Sequence, residues 1–134
     1  MSVLVSDAGF GPATQGPGVS LGDLAHHQGV VDLANTDDPT ALTSVLADLT
    51  LIRVAFPAFN DGRAFTIARR LRMMGYAGQL VATGPVIADQ YAMIRRVGFD
   101  AVEIPDDLAL RQPQEQWLFR ADWRDHDYLS RLKA

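Results

Sequence analysis

The residues best equipped for binding chemistry fall together in Phe56-Pro57-Ala58-Phe59-Asn60-Asp61-Gly62-Arg63. This stretch is long for a strand-to-helix link, and the helix it opens supplies free N–H groups and a partial positive charge at its start. Arg63 adds a forked donor matched to carboxylate, phosphate or sulfur oxyanions. Two readings stand side by side. In one, Asp61 caps the helix and Gly62 relieves a tight turn. In the other, Asp61, Gly62 and Arg63 hold an anion or meet a partner. Arginine is concentrated just beyond: Arg53 is the only cation before Asp61, and the stretch from Arg63 to Arg96 also carries Arg69, Arg70, Arg72 and Arg95. That cluster is either a solvated helical surface or a site for an acidic partner. Phe65, on the same side as Arg69 and Arg72, leans the reading toward a protein-binding patch.

Other chemistry finds less support. Thr83-Gly84-Pro85 is a small loop with neither the Lys-Ser/Thr ending of a phosphate loop nor the spaced glycines of a dinucleotide fingerprint. Asp89 and Gln90 fall in the first turns of the helix after it, where Asp89 suits the helix dipole and is also a binding candidate. His26, His27 and His126 lack zinc-ligand spacing, so no metal site is expected. Asp61 and Glu103 both lie near strand carboxyl ends; as a pair they would suit acid–base work, but a pairing of Glu103 with an arginine is the expectation. The chain contains no cysteine, which excludes disulfides, thiolate-held clusters and cysteine nucleophiles. Redox work would therefore need a bound organic cofactor or a partner protein, and no particular cofactor is indicated.

The elements that must position these residues alternate. Val30–Ala34 reads as a strand. Asp38 and Pro39 then suit the N-cap and first position of a helix to about Leu49, with Leu42, Val45, Leu46 and Leu49 on one face. Leu51–Phe56 is a strand. From Gly62, Ala64, Ile67, Ala68, Leu71 and Met74 form an apolar stripe, with Arg69 and Arg72 opposite and Arg63 and Arg70 on one flank. Gly75-Tyr76 stops that helix, and Gly98-Phe99 stops the next, which opens at Thr83-Gly84-Pro85 and turns Ile87, Tyr91 and Ile94 inward. Leu80–Thr83 and Ala101–Ile104 are further strands. Residues 1–28, with a possible strand at Val3–Val5 and turn signals at Gly9-Phe10-Gly11-Pro12 and Gly16-Pro17-Gly18, read as an arm packed on the domain. Residues 105–134 read as a polar helical tail, docked through Trp117, Leu118, Trp123, Tyr128 and Leu132.

This alternation predicts one α/β domain over residues 1–134: a small, mostly parallel sheet of repeated strand–helix units, either an open doubly wound sheet or a partial βα barrel. Either form places ligands at the strand carboxyl ends, which collect Asn35–Asp38, Phe59–Arg63, Thr83–Pro85 and Pro105–Asp107. A formal net charge of −4 argues against nucleic acid. The chain has no run long and apolar enough for a membrane span and no signal-peptide pattern at its start, so a soluble, cytoplasmic protein is expected.

Phe56–Arg69, with Leu71-Arg72, Gly75-Tyr76, Val86-Ile87-Ala88-Asp89-Gln90 and Gly98-Phe99-Asp100, resembles the bacterial domain-of-unknown-function family 934 over about Val30 to Glu103. That family carries an oxidoreductase label tied to sulfite reduction, resting mainly on genes beside those for assimilatory sulfite reductase and phosphoadenylylsulfate reductase. The resemblance implies an accessory role in sulfate assimilation, with sulfite reductase or its electron donor as partner. It brings no established catalytic residues, so Asp61, Gly62, Arg63, Arg69, Arg70, Arg72, Asp89 and Gln90 are candidates for anion or partner binding. The alternatives are a small enzyme or carrier for a sulfur oxyanion or phosphate-bearing metabolite, and a nicotinamide or flavin oxidoreductase.

Overall fold

The computed structural model describes residues 2–14, 16–58 and 61–123. Six strands form one sheet: β1 (Ser2–Ser6), β2 (Gly9–Pro12), β3 (Val30–Leu33), β4 (Leu51–Ala55), β5 (Gln79–Thr83) and β6 (Ala101–Pro105). The order across the sheet is β2-β1-β6-β5-β4-β3. Strands β3 to β6 are parallel, and the β1–β2 hairpin joins antiparallel to β6. Four helices follow: α1 (Gly62–Met73), α2 (Tyr91–Arg96), α3 (Asp106–Arg111) and α4 (Gln114–Leu118).

The sheet is open and mostly parallel, as expected, but it lacks the reversal of strand order that a doubly wound sheet needs, and it does not close toward a barrel. Its parallel strands lie in chain order without reversal, so right-handed crossovers carry α1 and α2 to the same face, and α3 and α4, after β6, pack on that face as well. Packing follows from that. Along each strand, alternate side chains point to opposite faces: Val31, Leu33, Ile52, Val54, Leu80, Ala82, Val102 and Ile104 meet the helices. The helices answer with Ala64, Ile67, Ala68 and Leu71 from α1, Tyr91 and Ile94 from α2, Leu108 from α3 and Trp117 from α4. The opposite face holds only a small apolar group, Val30, Leu51, Val81 and Ala101, flanked by Leu4.

Both helix stops form as the sequence predicts. Gly75 and Gly98 take φ of +96° and +119°. The amides of Tyr76 and Phe99 reach back to the carbonyls of Leu71 and Ile94, and both rings are buried.

Three expectations change. The turn signals at Gly9–Pro12 belong to strand β2, so the arm is built into the sheet. The helix expected from Pro39 to Leu49 is two 3₁₀ turns, Pro39–Leu42 and Leu46–Asp48. Asp38 does cap the first, accepting from the Thr40 amide. The hydroxyls of Thr40 and Thr43 then bond locally to Asp38 and to the Thr40 carbonyl, competing with α-helical geometry. The helix expected from Pro85 starts later, with a 3₁₀ turn Ala88–Gln90, whose first amide donates to the Gln112 side chain, leading into α2.

The tail docks through Trp117, which is 1% exposed. Its indole donates to the Gln112 carbonyl and meets Tyr91 edge-on. Trp123 packs half-buried against the same core, whereas Leu118 stays exposed. Tyr128, Leu132 and His126 lie outside the described residues.

Candidate functional site

At the carboxyl edge, the loop after β3 meets the start of α1. Asp61 is the N-cap, accepting from the amides of Arg63 (2.9 Å) and Ala64 (3.2 Å). Its second oxygen accepts from Asn35 Nδ2 at 2.6 Å, which ties the two loops together. Burial pushes the Asp61 carboxyl up, but the bonds from Asn35, Ala64 and Arg63 and the charge of Arg63 outweigh it and hold the group below its ordinary value. Asn35, Asp37, Arg63, Thr66 and Arg70 line a depression of about 250 Å³ beside this cap. Gly62 is not required by the turn: a Cβ there would meet open space. Phe59 and Asn60, expected at this edge, lie outside the described residues.

The arginines of α1 divide by what holds them. Arg72 is a structural staple rather than part of a solvated face. Its Nε donates to the Gly98 carbonyl (2.9 Å), its Nη1 to the carbonyls of Tyr76 (2.9 Å) and Gly78 (3.0 Å), and its Nη2 to Asp100 (3.0 Å). Arg70 reaches Asp38 at 3.4 Å across an exposed gap, a weak pair. Both lie in the last turn, where cations favour the helix dipole. Arg63 has no such explanation, because a cation in the first turn opposes the dipole. Neither Arg63 nor Arg69 enters an ion pair among the described residues. Met73, one turn beyond Arg69, is 80% exposed. Phe65 is not a free aromatic on this face: it is half-buried and packs edge-on against Phe56, ring centroids 5.3 Å apart. Phe65, Thr66, Arg69, Arg70 and Met73 enclose a groove of about 230 Å³ along the helix.

Asp89 and Gln90 sit apart from this face. Asp89 pairs with Arg120 of the C-terminal segment. Arg95 and Trp123 converge with Tyr91 on Asp7, in the β1–β2 turn. Asp61 and Glu103 are not a catalytic pair. Asp61 serves α1 on the helical side, whereas Glu103 lies on the opposite face of the sheet and accepts from the Thr14 amide (2.8 Å) and hydroxyl (2.7 Å). His27 Nδ1 accepts from the Gly29 amide, a local turn contact. No group of three or more His, Asp or Glu side chains suited to a metal occurs among the described residues, and no helix there is long and apolar enough to cross a membrane.

The family described as "Bacterial protein of unknown function (DUF934)" matches residues 30–125. The chain belongs to this family. No curated protein and no solved structure matches it. The DUF934 match takes in β3 to β6, all four helices and every candidate residue named above. The β1–β2 hairpin and the segment after it precede the match.

One polar network escaped the sequence reading. On the helix-free face, Arg53 of β4 is forked onto Asp32 of β3, with Nη2 to Oδ2 at 3.1 Å. Arg53 also donates to the Thr14 hydroxyl and the Gly16 carbonyl, both at 3.2 Å, and Thr14 connects onward to Glu103. The bond to Asp32 raises the Arg53 pKa further, against the opposing effect of burial. A signal was available: Asp32 and Arg53 are the lone charges within two apolar strands, and they are direct register partners. Residues 13–14 and 16–18 thereby lie as a strap across this face before Val19 pairs with β3.

Proposed function

We propose that this DUF934 protein is an accessory protein of assimilatory sulfite reduction that holds the reductase or its electron donor against the outward face of α1. The observation that carries the reading is that Arg69 and Met73 are a charge and an apolar surface with no ion pair or burial to explain them among the described residues, while Arg63 stands in the first turn against the helix dipole. The pathway comes from the family resemblance, whose gene neighbours are those of sulfite reduction. A chain without cysteine would leave any thiolate-held redox cluster to its partner. Assembly thus accounts for the features better than a reaction performed by this domain alone.

The test is a tagged pull-down from bacterial cells growing on sulfate as sole sulfur source. Recovery of sulfite reductase or its donor, lost in an Arg69→Glu/Met73→Asp variant of unchanged urea stability, is the expected result. Recovery of no sulfur-pathway protein overturns it. The depression between Asn35, Arg63 and Thr66 favours a second reading, a carrier or small enzyme for a sulfur oxyanion or phosphate-bearing metabolite. A thermal-shift screen with sulfite, sulfate, adenylylsulfate, flavins and nicotinamides tests that reading, because a ligand of the folded state raises Tm by mass action.

A further inference from the structure

We infer that the outward face of α1 receives an acidic segment of a partner protein, one apolar side chain of which seats in the groove between Phe65 and Met73. This rests on the docking reading above and adds the chemistry of the occupant. The charge comes first. Gly62–Met73 contains four arginines and no acidic residue, on a chain whose net charge is −4. A helix face kept merely for solubility mixes signs at i, i+4 spacing; α1 has no such pair. Arg69, which enters no ion pair among the described residues, stands beside the groove, with Arg63 about two turns away, so the face presents a positive field to an incoming chain.

The groove selects the size of the anchor. At about 230 Å³ it falls below the roughly 300–1,000 Å³ of pockets that take cofactors or drug-sized ligands, yet it has room for one large side chain. Its two apolar walls differ. Phe65 is fixed by its edge-on contact with the core residue Phe56, whereas Met73 is exposed and unbranched, able to adapt to the shape of what it covers. A fixed aromatic, a flexible thioether and a rim of arginine match the composition of energetic centres in protein interfaces. Rim charge would govern the association rate and its salt dependence, and the apolar anchor the residence time.

A photo-crosslinking residue at Thr66 of the full chain, in cells growing on sulfate, tests the inference when the crosslinked peptide is sequenced by mass spectrometry. The expected product is one segment with two or more Asp or Glu around a large apolar residue. A synthetic copy of that segment should bind the purified protein, with affinity about tenfold weaker for Arg69→Glu and for Met73→Asp. Arg69→Glu should also flatten the salt dependence. A segment without acidic residues, a crosslink to nucleic acid or to a second copy of this chain, binding unmoved by either variant, or no crosslink at all overturns the inference. A crosslink to an acidic segment of a protein outside sulfur metabolism upholds the surface and defeats the pathway. Recovery of sulfite reductase with no crosslink at Thr66 does the reverse.

Discussion

Arg69 and Arg72 lie three residues apart on one helix, and the structure gives them opposite jobs. Replacing each by alanine separates those jobs. Arg72→Ala removes three bonds to loop carbonyls and one to Asp100. Bonds from a charged group contribute about 1.5–3 kcal/mol each where water is excluded, and less where it can reach them. The ion pair adds less than about 1 kcal/mol, because the Asp100 side chain is 44% exposed. Water can replace part of the loss at the loop surface, which leaves about 2–4 kcal/mol. Gly98 adds to the coupling: its φ is +119°, and the Arg72 stem lies where a Cβ would stand, 2.6 Å away. The variant should therefore loosen the turn between α2 and β6 as well as the turn after α1. In urea the midpoint should fall by about 1–2 M with little change in slope, and Tm by roughly 10 °C. Arg72→Lys should recover only part of this, because an ammonium cannot fork between the loops. Arg69→Ala should stay within about 0.5 kcal/mol of wild type, as surface changes usually do. Equal midpoints for the two alanine variants, or a destabilised Arg69→Ala, would refute this division of labour.

Three further outcomes follow from local geometry. Gly84→Ala should cost at least about 2 kcal/mol by urea unfolding, since Gly84 has φ +132° and a Cβ would meet the Phe56 carbonyl oxygen at 2.2 Å; Gly62→Ala, with open space and a helical site, should stabilise by about 0.5 kcal/mol. Burial pushes the Asp7 carboxyl up, but Arg95, Tyr91 and Trp123 hold it below its ordinary value of 3.8 overall. Its contribution is therefore present above about pH 4 and lost as pH falls through the lowered folded value; urea midpoints measured down to acid pH should fall less steeply for Asp7→Asn than for wild type. Arg53→Met should cost about 1–3 kcal/mol by breaking the pair with Asp32, and it should speed proteinase K cleavage within residues 13–19; an unchanged digestion pattern would show that Arg53 does not hold the strap.

What the sequence disclosed depended on how local each cause was. The glycine stops, the Asp61 cap and the Ala64-Ile67-Ala68-Leu71 stripe are decided within a turn or two of helix, and all are readable from residue type and spacing. So is the shared flank of Arg63 and Arg70, seven residues apart, which the depression beside the cap bears out. Residues 38–49 misled because Leu42, Val45, Leu46 and Leu49 fit an apolar helical stripe, while Thr40 and Thr43 decide the geometry through hydroxyl bonds that hydrophobic periodicity ignores. Arg72 looked like Arg69 because what distinguishes it belongs to other parts of the chain: the Gly98 turn and Asp100 lie 26 and 28 residues away. Asp89 looked like a site residue for the same reason, its partner Arg120 being 31 residues on.

The winding of the sheet explains the part of the chain that was hardest to read. Parallel strands laid down in chain order send their crossover segments to one side, and parallel sheets seldom leave a face to water. Nothing between β3 and β6 can cover the other side, so the cover must come from outside that unit. Here it is the strap after β2, which passes over β6, β4 and β3 before Val19 extends the sheet edge. Close approach sets its composition: a Cβ on Gly18 would stand 2.1 Å from an Asp32 oxygen and 2.8 Å from the Arg53 guanidinium. Hence a glycine-rich stretch, lacking any periodicity, is held down by charged groups on the strands instead of by an apolar stripe of its own. A second consequence concerns the site. With the strap lying across part of the helix-free face, α1 contributes to both of the other surfaces: its first turn to the carboxyl edge, and the exposed Met73 together with Arg69, which enters no ion pair among the described residues, to the helical face.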